Sequence, residues 1–323
     1  MTPCLRALLA GSIDYAGMFP PAGLTLANSL DNLRRHRRSL DSWLLGRFVV
    51  PVAKLAELAE SYQFERDGRL SVVVTAGDSG EFFLKQLDMA LMSVAEFPVY
   101  GAVDTLEFRW PAGSLRVADV GRLGNLVQTA AGEIMGSRIA PITMFFELPR
   151  GEIPLAASTA RERIRGALAA VADFNKSANG LPCLAGFKMR CGGAGPAGIP
   201  SSAEIAAVIC ESRDHGVVWK ATAGLHHPVR RMEPAGRPST HGFLNLLVAT
   251  VLADVHRLDE RRTQAIIDSV NVDQFGFSGD TLNWDDLSVT SAQIVVARER
   301  SLRSFGSCSV DEPCHDLKGL GFL

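Results

Sequence analysis

The chain has 323 residues, of which 47% are hydrophobic and 21% charged, and its net charge is −2. That apolar content is well above the level at which chains stay disordered, and the near-neutral balance provides no field to recruit nucleic acid or an anionic membrane. The length suits either two average domains or one α/β barrel.

At the N-terminus, LRALLAGSIDYAGMFPP holds too few consecutive apolar residues for a secretory signal core. Six cysteines, at 4, 183, 191, 210, 308 and 314, form no CxxC pair. This argues for reduced thiols, a cytoplasmic protein, and neither a zinc finger nor an iron–sulfur cluster. The longest apolar stretch, 243–255, is interrupted by Asn245 and ends at Asp254, so it reads as a buried helix rather than a membrane span.

In chain order, a weak first strand is expected near 12–19, then a helix over 26–40. The basic run Arg34, Arg35, His36, Arg37, Arg38 falls on that helix and reads as a solvated face. Strands are expected at 46–52, 70–77, 98–108, 141–149, 184–193 and 216–228, several of them apolar at consecutive positions, as in parallel sheets buried on both faces. Helical periodicity fills 53–64, 81–94 and 156–174 between them, and a long helical segment covers 242–270. The last strand is expected at 272–279, and the segment from Phe305 to Leu323 reads as a tail docking on the body or on another subunit. Strand–helix alternation of this kind, without GxGxxG or GxxxxGK[ST], predicts a single (β/α)₈ TIM-like barrel spanning 1–323.

In such barrels the chemistry lies at the C-terminal strand ends. Lys188 (in FKMRCGG) and Lys220 (in WKATAGLHH) come late in consecutive strands, Glu147 ends an earlier one, Asp104 and Glu107 lie in the third readable strand, and Asp78 follows the second. A lysine inside an apolar strand is costly unless paired or neutralised, and two close lysines would depress each other's pKa. A neutral amine there can attack a carbonyl and form a Schiff base. Buried ion pairs with Glu147 or Asp104 are the alternative account of both lysines. Arg190, Arg230 and Arg231 are candidates to clamp an anion. Asp14 and Tyr15 reach the barrel mouth if 12–19 is a strand, whereas Arg47 sits at the opposite end.

FKMRCGG, a Gly-rich loop over 191–202, the helix start SSAEIAAVI and then VVWKATAGL together resemble the late part of deoxyribose-phosphate aldolase-type class I aldolases. The two lysines stand 32 residues apart, one βα unit. The resemblance implies Lys188 as the Schiff-base lysine and Lys220 as its pKa-lowering partner. It also implies that the turns at Gly192, Gly193 and Gly224 approach a substrate phosphate or carboxylate, with Glu147 a candidate for the acidic proton shuttle. Arg190 and Cys191 replace small hydroxyl residues of that pattern, Ala223 replaces a glycine, and His226 and His227 stand in place of an arginine. Over its whole length the chain resembles a bacterial protein family without an assigned activity, through YAGMFPPA, KATAGLHHP, HGFLNL and FGSCSVDEP.

The resulting expectation is a lysine Schiff-base aldolase or carbon–carbon lyase acting on a small anionic oxo-substrate, needing no cofactor. Lys188, Lys220, Glu147 and His226 would be catalytic, and Arg190, Gly192, Gly193, Gly224, His227 and His241 would bind substrate. Two rivals stand beside it. One is a metal-dependent hydrolase or lyase in which His226, His241 and a carboxylate hold a divalent ion such as Zn²⁺. The other is a non-catalytic metabolite-binding barrel. Homo-oligomerisation stays open in all three.

Overall fold

The computed structural model describes the chain except for residues 75–76, 78, 112–119, 138, 140, 150–156, 179–182, 194–197 and 233–238. Asp78 and parts of the loops 191–202 and 226–242 therefore lie outside the described residues.

Eight parallel strands close into a barrel: β1 (Ile13–Tyr15), β2 (Leu45–Pro51), β3 (Leu70–Val73), β4 (Val103–Arg109), β5 (Ile142–Glu147), β6 (Cys183–Arg190), β7 (Trp219–Thr222) and a last strand, Leu302–Ser307. Around the ring the sequence order of neighbours is unbroken, and the last strand lies between β7 and β1. This is the expected (β/α)₈ architecture, with one correction. The stretch expected to be the eighth barrel strand instead contributes β8 (Gly276–Ser278) to a small antiparallel sheet with β9 (Thr281–Trp284) and β10 (Leu287–Thr290). The strand that closes the ring is β11, Leu302–Ser307, whose second half overlaps the start of the segment 305–323 that the sequence suggested was a docking tail. The reason is physical: β11 alternates, with Phe305 packing outward onto Phe243 while Ser304 and Gly306 face the interior, so it lacks the continuous apolar run of the other strands.

Helices α1 (Pro3–Leu9), α2 (Leu26–Arg37), α3 (Leu55–Ala59), α4 (Phe64–Asp67), α5 (Gly80–Ala95), α6 (Val120–Gly136), α7 (Ala157–Ser177), α8 (Ser202–His215), α9 (Phe243–His256), α10 (Glu260–Asp268), α11 (Ser291–Arg300) and α12 (Asp311–Gly319) complete the fold. Local chemistry sets several boundaries. Ser201 and Glu204 form a capping box that starts α8, and Gly216, at φ 65°, ends it and turns the chain into β7. The region 53–64 yields only a 3₁₀ turn and two short helices instead of one helix. The basic run is only in part a solvated face: Arg35 and Arg38 are exposed, but Arg34 bonds the buried Asp67 at 2.8 Å, Arg37 donates to the Gly46 carbonyl at 2.7 Å, and His36 is buried. Arg34 and Arg37 tie α2 to α4 and to β2. Among the described residues no helix is long and apolar enough to cross a membrane.

Candidate functional site

Register puts the charged residues together. Glu147 on β5 is opposite Lys188 on β6, and Lys188 is opposite Lys220 on β7. Side chains on a strand alternate faces, so these three point into the barrel together. Beneath them Phe145 fills the interior. Gly186 makes room for it, since a Cβ there would lie 2.6 Å from the Phe145 ring. Lys220 Nζ lies 5.7 Å from the centre of that ring.

Glu107, two residues from the end of β4, reaches both lysines. Its Oε2 is 2.8 Å from Lys188 Nζ, and its Oε1 accepts from Lys220 Nζ at 2.6 Å and from Ser71 Oγ at 2.6 Å. Lys220 Nζ also donates to Asp14 Oδ2 at 2.7 Å, and Asp14 is fixed by Ser304 Oγ at 2.7 Å and by the Arg47 backbone N–H at 2.8 Å. Lys188 Nζ contacts Glu147 Oε2 at 2.9 Å, and Arg190 Nε donates to Glu147 Oε1 at 3.2 Å. A continuous chain of alternating charge results: Asp14, Lys220, Glu107, Lys188, Glu147, Arg190. Three carboxylates meet three cations, so the cluster is neutral as a whole. Lys220 is 1% exposed, whereas the Arg190 side chain is 43% exposed at the strand end and opens toward the mouth.

The pKa directions correct one expectation. Burial alone would lower the Lys188 ammonium, but Glu107 and Glu147 outweigh it and raise the group above the ordinary lysine value. Lys188 is thus not held neutral by Lys220, because the Glu107 carboxylate lies between the two amines. Burial would likewise raise Glu107, yet the two lysines hold it far below the ordinary carboxylate range, and Lys188 with Arg190 lowers Glu147 against its burial. Asp14 is lowered, against its burial, chiefly by Lys220 and Arg47.

The remaining expected residues divide. Gly192 and Gly224 form the seam between the ends of β6 and β7, where a Cβ on Gly192 would lie 2.5 Å from Gly224 Cα. Gly193 stacks against Gly198 in the same way, at 3.3 Å. The histidines do not join the lysine cluster. His226 Nδ1 is 3.0 Å from Glu312, and His227 Nδ1 is 2.7 Å from Asp316, both carboxylates being on α12. His241 is buried between the Pro200 carbonyl, 2.7 Å from Nε2, and Arg230, 3.0 Å from Nδ1, and burial lowers its pKa. His226 and His241 therefore engage different parts of the rim. Among the described residues no three His, Cys, Asp and Glu side chains are grouped to hold a metal ion. Asp104, the other acid considered for the mouth, pairs with Arg47 at 2.6 Å at the opposite end of the barrel, since it is only the second residue of β4.

Three members of the cluster were poorly marked in the sequence. Asp14 depended on the weakest strand, and Ser71 and Ser304 gave no signal beyond a hydroxyl in a strand. Glu107 was visible as a charge inside an apolar run, but its place between the lysines was not. Compared with protein-family models and with curated proteins, the chain matches none closely enough to assign it.

Proposed function

We propose that this barrel is a carbon–carbon lyase or aldolase that works through an imine on Lys188, acting on a small anionic oxo-substrate. The observation that carries the reading is the bridging of two register-paired, interior lysines by one buried carboxylate, Glu107, in the C-terminal half of the barrel. Ammonium and iminium are both cations on the same nitrogen, so the carboxylates that favour charged Lys188 also favour the charged imine. Conversion of a carbonyl and an ammonium to an iminium and water conserves charge, and the cluster stays neutral throughout.

In this reading Lys188 adds to the carbonyl. Glu107, in contact with both amines, passes protons between them as the carbon–carbon bond breaks or forms and the electron pair moves into the imine. Lys220, anchored by Asp14 and Ser304, supplies the second cation and a proton reservoir. The half-exposed Arg190 offers a guanidinium to the anionic part of the substrate.

Borohydride reduction in the presence of small aldehydes, ketones, 2-oxo acids and sugar phosphates tests the proposal by intact mass. A stable adduct mapping to Lys188, lost in the folded Lys188→Arg variant that retains the charge, is the expected result. An adduct on Lys220 instead would exchange the two lysines' roles. The absence of any adduct with every carbonyl would remove the lyase reading and leave a metabolite-binding barrel or a metal-dependent reaction.

A further inference from the structure

Arg190 follows Lys188 by two residues on β6, so both side chains leave the strand on the same face, about 7 Å apart along it. The Glu147 carboxylate lies across that interval, with Oε2 2.9 Å from Lys188 Nζ and Oε1 3.2 Å from Arg190 Nε. A carboxylate therefore already spans the amine and the guanidinium. A 2-oxo acid carries its carbonyl carbon and its carboxylate one bond apart, and it presents the two functions that these two groups take.

We infer that the substrate is a 2-oxo acid whose carboxylate takes Arg190 away from Glu147, releasing Glu147 to carry the protons of imine formation at Lys188. The inference rests on the lysine-imine reading and adds to it the substrate class and the trigger. The atoms balance without an external reagent. Glu147 accepts one proton from the Lys188 ammonium, and the freed nitrogen lone pair attacks the carbonyl carbon. A second proton moves from nitrogen to the new alkoxide, and Glu147 returns its proton to that hydroxyl. Water leaves as the nitrogen lone pair forms the carbon–nitrogen double bond, giving an iminium that retains one N–H.

The electrostatics run in the required direction. Burial disfavours the charged form of Glu147, and it is Lys188 and Arg190 that keep the group ionised. Transfer of Arg190 to the substrate removes one of those two supports, so the proton affinity of Glu147 rises when Lys188 must give up a proton. A neutral carbonyl compound leaves Arg190 on Glu147 and does not set off the exchange. Arg190 is also suited to the task by position: its side chain is 43% exposed, whereas that of Glu147 is 7% exposed, so an entering anion meets the guanidinium first.

The test uses the purified full chain, borohydride, and three carbonyl probes: pyruvate, pyruvamide (the same ketone with a neutral amide in place of the carboxylate) and dihydroxyacetone phosphate. The concentration giving half-maximal labelling of Lys188 is read by mass spectrometry. Pyruvate is expected to label at about 10- to 100-fold lower concentration than pyruvamide, the range of a charged hydrogen-bonded contact. Arg190→Gln should shrink that preference to about threefold or less, with Arg190→Lys in between.

Equal labelling of the wild type by pyruvate and pyruvamide overturns the inference without recourse to a variant, and an undiminished preference in folded Arg190→Gln does so as well. Preferential labelling by dihydroxyacetone phosphate overturns it in favour of a phosphate group while leaving the imine reading intact. No labelling by any of the three overturns both.

Discussion

Glu107 accepts from Lys188, Lys220 and Ser71 at once, all at 2.6–2.8 Å, and none of the four residues has appreciable contact with solvent. Replacing it by glutamine removes one carboxylate from the cluster and leaves two buried ammoniums each with a single acidic partner. Breaking a buried pair in this way costs about 3–5 kcal/mol, mostly from the charge left behind. Glu107→Gln is expected to lower unfolding stability by that amount in urea titrations at neutral pH. The double variant Glu107→Gln with Lys220→Met should recover a substantial part of the loss, because it also removes one stranded cation. A double variant no more stable than the single one would show that the two groups are not coupled. At this scale the sequence was informative where a charge interrupted an apolar run, as at Lys188, Lys220 and Glu147. Of the two ion-pair partners it offered the lysines, Glu147 does meet Lys188, whereas Asp104 meets Arg47 and the bridging Glu107 was not foreseen, because which carboxylate meets which lysine depends on strand order and tilt. Asp104 and Glu107 are separated by three positions on one strand, yet they sit at different heights in the barrel and serve unrelated partners.

The seam between β6 and β7 is where backbone shape governs the site. Cys191 N–H donates to the Thr222 carbonyl at 2.7 Å, and Gly192 and Gly224 bring their backbones closer than any Cβ would permit. Gly224 also has φ 72°, in the left-handed region that suits glycine. Gly192→Ala is therefore expected to push the two strand ends apart, at a cost of about 1–3 kcal/mol. It should reduce borohydride labelling of Lys188 more than it lowers the melting temperature, because the separation between the lysines is set immediately below. Labelling equal to wild type at normal stability would mean that the seam does not position the lysines. Most strands were legible here because consecutive apolar residues mark burial on both faces. β11 was not, since Ser304 and Gly306 on its inner side and Arg303 on its outer side break the run. β8 was detected as a strand but given the wrong sheet, because three residues of strand pattern carry no information about the partner.

Across the molecule, the alternating cluster sets a window of pH stability. Asp14, Glu107 and Glu147 have pKa values lowered on folding, so their contribution is complete above the ordinary glutamate value of 4.5 and is lost as pH falls toward their folded values. Lys188 is raised on folding, so its contribution is complete below the ordinary lysine value of 10.5 and is lost as pH rises beyond it. The cluster's contribution to the melting temperature should thus be nearly flat between these limits and fall outside them, while the buried His241, lowered by burial, adds a loss as pH falls below the ordinary histidine value. Glu107→Gln should have a shallower acid limb, as one of the three titrating carboxylates is gone. An unchanged acid limb in that variant would assign the acid sensitivity to other groups.

The pairing of β1 with β11 joins the two far ends of the fold, and Asp14 of the first strand accepts from Lys220 of the seventh and Ser304 of the last. Until β11 is in place Asp14 lacks one of its fixing groups, and Lys220 has no closed wall beside it. A chain ending at residue 300 is accordingly expected to give no borohydride labelling at Lys188 with any of the carbonyl probes. During synthesis the reactive centre therefore comes into being only after β11 has been made and has closed the ring.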